Sequence, residues 1–159
     1  MNKFLNKIRS IENEIPITRK IINTILILCF GIVLGTFAKF LDTTASNTLS
    51  FIFEYLDISN FLGRFAIWLL IALYIAIYSH SSIRASLNVL VFFIGMVSSY
   101  YLYSYFVAGF FPKNYAMIWL GFTAISPLLA FVCWYAKGKS KISFILSVII
   151  IAILFNFTF

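Results

Sequence analysis

Arg64 follows Asp57 by seven positions and Glu54 by ten, with Lys39 and Asp42 upstream, and all five stand between apolar runs. A guanidinium in such company either pairs with the carboxylates or holds an anionic solute or lipid headgroup. The other groups able to contact a ligand are weaker. Asn88, Ser99, Tyr103 and Ser126 lie inside long apolar stretches and offer hydrogen bonds without formal charge. With Arg64, Asp57 and Glu54 they make the candidate ligand set, Arg64 and the neighbouring carboxylates setting the ligand's charge and the neutral side chains lining its pocket. Pro127 adds one more possibility. It cannot donate to the carbonyl of Thr123 four residues back, so that oxygen is either recaptured by the Ser126 hydroxyl at a kink or left open to a ligand.

What these stretches lack is as informative. No Asp, Glu, Lys, Arg or His occurs in Ile21–Ala38, Phe65–Ser79, Ser86–Phe111, Tyr115–Ala136 or Ile142–Phe159. Proton-coupled pumps, voltage sensors and intramembrane metal enzymes need ionisable groups at depth. The expectation is therefore a protein that is not an enzyme, with no catalytic residue, metal or cofactor. His80, the one histidine, stands among Ser79, Ser81 and Ser82 and reads as a solvated loop residue, or else as a pH sensor.

The five runs must position these residues, and their composition says how. Of the 159 residues, 62% are hydrophobic and 11% charged, far from the roughly even split and quarter charge of a soluble domain. Runs near 20 residues match a hydrocarbon core about 30 Å thick, and no two-residue alternation suggests a barrel. The fold class expected is all-α, an integral membrane bundle of five transmembrane helices. Phe4, Ile8, Ile11 and Ile15 recur at helical spacing before Pro16 and predict an N-terminal amphipathic helix, so that residues 1–18 form a cytoplasmic segment ahead of a single bundle domain, 19–159. Between the first two runs, Leu49–Ile58 confines Ser50, Glu54 and Asp57 to one face and predicts a short helix at the outer interface.

Basic residues in short loops favour the cytoplasm. With the N-terminus inside, Lys3, Lys7, Arg9, Arg19, Lys20, Arg84, Lys137, Lys139 and Lys141 face inward, against Lys39, Arg64 and Lys113 outside, nine to three among the twelve. The net charge of +7 then reads as anchoring on anionic lipid rather than nucleic-acid binding. The last run reaches Phe159 with no polar tail, so either the fifth helix ends flush with the far interface or the native protein continues into a sixth.

Gly31 and Gly35 form a GxxxG pair and Gly95 lies near Asn88 and Ser99 on one side of the third run, sites for close helix packing or a partner's approach. The stretches Phe61-Leu-Gly-Arg-Phe-Ala-Ile-Trp68, Pro112-Lys113, Ser126-Pro-Leu-Leu-Ala130 and Tyr135-Ala-Lys-Gly-Lys139 resemble a family of uncharacterised bacterial small multi-pass membrane proteins. That resemblance implies a bacterial plasma membrane and brings no activity. Two functions fit the residues. The first is a transport-type or solute-binding membrane component, with an outward pocket roofed by Leu49–Ile58. The alternative is a non-enzymatic structural or regulatory subunit, docking on itself or on a membrane partner through the Gly31/Gly35 face.

Overall fold

A computed structural model describes residues 2–11, 15–44, 55 and 57–158, and every regular element among them is helical. In chain order these are α1 (Asn2–Ile8), α2 (Ile17–Thr43), α3 (Ile58–Gly63), α4 (Phe65–Tyr78), α5 (Ser82–Phe106), α6 (Lys113–Trp134), a 3-10 turn (Tyr135–Lys137) and α7 (Lys141–Thr158). Three segments, Ile17–Thr43, Ser82–Phe106 and Lys113–Lys137, are long and apolar enough to cross a bilayer. Their outward side chains, such as Ile25, Val33, Leu120 and Leu128, are apolar and exposed, which suits lipid and not water. The chain is a helical membrane protein.

The central element is α5. It buries Ala85, Val89, Phe92, Phe93, Met96 and Val97, and packs against α2, α4 and α6. Its contact with α2 is a seam of small residues. A Cβ on Gly31 would stand 2.5 Å from the Phe92 carbonyl oxygen, and one on Gly95 would stand 2.8 Å from that of Leu28. Gly35 is pressed as closely on the backbone of Met96 and the hydroxyl of Ser99. Lipid tails are as apolar as leucine, so such close backbone approach, with its dispersion contacts, replaces the hydrophobic drive of a soluble core. The Gly31/Gly35 ridge is thus filled from within the chain.

Three element boundaries differ from the sequence reading. The first apolar run ends at Ala38, yet α2 continues to Thr43, because Lys39 finds Asp42 one turn on at 2.7 Å and lies over the Tyr100 ring at 5.0 Å. Tyr100 in turn donates to Asp42 at 3.1 Å, and the hydroxyls of Thr43 and Thr44 cap the Phe40 carbonyl. The third run was expected to stay helical to Phe111, but α5 stops at Phe106. Gly109 takes φ +66°, a left-handed conformation that ends the helix, and the buried Ser104 hydroxyl holds the Phe110 carbonyl in the turn. Finally, α1 ends at Ile8 rather than reaching Ile15. Arg9 leaves the helix to bond two carbonyls of the bundle, Ile8 is buried against Gly138, and Ile11 is exposed. Of the expected helix Leu49–Ile58, residues 49–54 and 56 lie outside the described residues.

Lys39 is 7% exposed whereas Asp42 is largely open, so the two partners should respond differently to removal. Asp42→Ala leaves a buried ammonium without its carboxylate and is expected to cost about 1–2 kcal/mol, the lower end of the buried range because half of the pair is exposed. Lys39→Met removes the charge altogether and should be close to neutral. Thermal unfolding in neutral detergent compares them, and equal losses would mean that the pair is held by packing rather than charge.

Candidate functional site

Pro127 and Asn88 lie within the apolar helices, but the polar groups converge at one end of the bundle. There the start of α2, the end of α4, the start of α5 and the end of α6 meet, bringing Arg9, Arg19, Lys20, Arg84 and Lys137 to the same end. Lys39, Arg64 and Lys113 belong to the opposite helix ends.

The local sequence explains the arrangement. Ser81 caps α5 by accepting from the Arg84 amide at 3.2 Å. Arg84 is thereby set in the first turn, and Asn88 follows one turn later on the same face. Arg84 Nη2 donates to the Lys20 carbonyl at 2.6 Å and to the Thr24 hydroxyl. Thr24 Oγ1 lies 3.0 Å from the Lys20 carbonyl and 3.2 Å from Asn88 Oδ1, so its single proton serves one or the other. Asn88 Nδ2 donates to Ser79 Oγ at 3.1 Å, and that hydroxyl donates to the Ile75 carbonyl at 2.7 Å. Trp134 Nε1 closes the set on the Ser79 carbonyl at 2.7 Å, with the Arg9 guanidinium stacked over its ring at 4.1 Å. Apart from the one proton that Thr24 shares, the links join donors to acceptors, the condition under which buried polarity is tolerated.

Beside this network lies a cleft of about 520 Å³. Arg19, Asn23, Tyr78, His80, Arg84 and Asn88 bring its polar groups, while Leu26, Ile27, Tyr74 and Ile75 form an apolar wall. Arg84 is fixed through one nitrogen, and its remaining N–H groups have no partner among the described residues; the same holds for the whole Arg19 guanidinium. Among the described residues no carboxylate lines the cleft. The described carboxylates, Asp42 and Asp57, are at the other end, Asp42 being about 34 Å from Arg19 by helical rise along α2. Glu12 and Glu14 lie outside the described residues. His80, expected in a solvated loop, is half-buried, and its Nε2 is shielded with no hydrogen-bond partner among the described residues.

The expected ligand set does not converge. Asn88 belongs to the cleft. Ser99, four residues past Gly95, hydrogen-bonds the Met96 carbonyl at 3.1 Å and backs Gly35. Tyr103 is half-buried on α5, about 22 Å from Asn88 by helical rise. Ser126 lines a small apolar cavity of about 150 Å³ with Ala72, Ala76 and Phe93, and donates to the Thr123 carbonyl at 2.9 Å. The oxygen freed by Pro127 is therefore satisfied inside α6. At the opposite end Arg64 is exposed, with no side-chain partner among the described residues. Asp57, at φ +48°, accepts from Asn60 at 3.0 Å instead of from Arg64, and Glu54 lies outside the described residues.

In the sequence Arg19 and Arg84 read as topology markers, and only the structure brings them into one cleft. The spacing of Arg84 to Asn88, with Thr24 at the same depth of the first run, was the available signal. No protein-family model, curated protein or solved structure matches the chain.

Proposed function

We propose that this chain is a non-catalytic, solute-binding membrane component of transport type, and that its ligand is an anion held in the cleft between α2, α4 and α5. One observation carries the reading: two arginines with uncommitted donors share a cleft with Asn23, Asn88 and Tyr78 and, among the described residues, with no carboxylate. Guanidinium groups bind phosphate and carboxylate oxygens in pairs, and a partly apolar wall lowers the local dielectric and strengthens that attraction. The Arg84–Thr24–Asn88–Ser79 bonds hold one of the two cations in place before the ligand arrives, which lowers the ordering cost of binding.

In this reading α4 and α7 cross the bilayer together with the three long helices. The end rich in Lys and Arg faces the cytoplasm of a bacterial plasma membrane, which puts the cleft on the inner side and not beneath an outer roof. Arg64 is left to the outer interface, where its charge can reach headgroups. Docking a partner through Gly31 and Gly35 has less support, because α5 of the same chain occupies that ridge.

Arg19 is exposed and free of structural bonds among the described residues, so its replacement tests the site without threatening the fold. Arg19→Gln is expected to weaken binding of inorganic phosphate by at least about tenfold, the equivalent of one charge-assisted hydrogen bond. Titration calorimetry in neutral detergent measures it, with the unfolding midpoint unchanged. Failure of the parent protein to bind phosphate, or equal binding by the variant, would overturn the assignment.

A further inference from the structure

The cleft does not end at its apolar wall. Leu26, Ile27, Tyr74 and Ile75 also line a second groove of about 530 Å³, which continues past Phe30, Leu70 and Ile71 with almost no polar surface. Its walls are α2 and α4, which both pack on α5 or on its flanks and leave a seam between them. Because α2 begins and α4 ends at the cleft, the two run antiparallel and the groove leads from the basic end toward the bundle's middle. The rims are open: Leu26 is 61% exposed, Phe30 47% and Leu70 46%. From Arg19 to Phe30 the distance is about 16 Å by helical rise, close to the depth of one leaflet of a core about 30 Å thick.

A free anion has no use for such a groove. An amphiphile does, since it carries its charge at one end and a hydrocarbon chain at the other, in the same order and over the same length. We infer that the anion bound at Arg19 and Arg84 is the phosphate headgroup of a glycerophospholipid, with an acyl chain lying along Leu26, Phe30, Leu70 and Ile71. This rests on the anion-binding reading of the cleft and goes beyond it by naming the ligand's chemical class. The chain enters sideways from the leaflet, so the lipid need not leave the membrane to bind. A lipid tail gains little from apolar surface alone when it comes from other tails, so the headgroup contacts supply selectivity and the groove supplies shape.

The two halves can be tested separately by native mass spectrometry from neutral detergent, with phosphatidic acid, phosphatidylcholine and glycerol phosphate as probes. The expected pattern is retention of phosphatidic acid over phosphatidylcholine by at least about tenfold, the scale of one charge-assisted contact. Leu70→Trp fills the exposed groove at a position that lines it but not the cleft, one helical turn beyond Tyr74. It should reduce phosphatidic acid retention about fivefold or more while leaving glycerol phosphate binding unchanged, the bulk of an added indole being set against a single methylene-scale contact. Arg19→Gln should reduce both. If glycerol phosphate binds as tightly as phosphatidic acid and Leu70→Trp changes neither, the lipid assignment falls and the anion site stands. If phosphatidylcholine is retained as well as phosphatidic acid and Arg19→Gln has no effect, or if no probe binds, both assignments fall.

Discussion

Gly31→Leu should abolish the bundle as a folded unit, while Gly121→Leu should leave it intact. A side chain on Gly31 begins 2.5 Å from the carbonyl oxygen of Phe92, and the backbone of α5 cannot yield without also displacing Gly35 and Gly95, which face equally close backbone. The expected loss is at least about 3 kcal/mol, the upper end of overpacking costs, because backbone rather than a flexible side chain stands in the way. Gly121, on α6, faces outward with nothing within 4 Å of where a Cβ would stand, so a leucine there should shift stability by less than about 0.5 kcal/mol. Size-exclusion profiles and unfolding midpoints in the same detergent compare the pair. Similar behaviour of the two variants would mean that the α2–α5 seam does not hold the bundle together.

Trp134→Ala is expected to have the second largest effect, about 3 kcal/mol, and to act on the cleft from a distance. The indole is 2% exposed and performs three tasks at once: it fills the end of α6, donates to the Ser79 carbonyl and carries the Arg9 guanidinium on its face. In lipid the transfer part of a core truncation is weak, so the loss comes from packing, the orphaned carbonyl and the cation–π contact. Trp134→Phe keeps most of the ring and loses the donor, and should cost about 1–2 kcal/mol. Because Ser79 also anchors Asn88, both variants should weaken phosphate binding as well as stability, in the same order. A Trp134→Phe variant that lost stability with full phosphate affinity would show that Ser79 does not position the cleft.

Much of this architecture can be read from the chain alone. Long runs without charge must be helices in lipid, since no water is present there to satisfy an open backbone. Their number of apolar residues and the GxxxG spacing of Gly31 and Gly35 follow from composition and periodicity. The bond from Ser126 to the Thr123 carbonyl is likewise local, because Pro127 frees an oxygen within reach of the hydroxyl beside it. Helix ends were harder. Whether α2 passes Lys39 depends on Tyr100, 61 positions away, and whether α1 passes Ile8 depends on carbonyls of Ile77 and Trp134.

The candidate site shows the same division more sharply. The sequence by itself determined long apolar runs without formal charge, their helical state and the placing of the cations outside them, because burial of charge in hydrocarbon is penalised wherever it occurs along a chain. It also supplied Asn88 as a polar group at depth. The tertiary structure alone decided that Asn88 bonds Thr24 and Ser79, and through Thr24 meets Arg84, rather than joining Ser99, Tyr103 and Arg64, and that Arg19 shares its cleft. Hydrogen bonds reach about 3 Å, so partners on different helices are chosen by the crossing of those helices and their relative rotation, which small residues such as Gly31 and Gly95 set and which no spacing within one helix encodes.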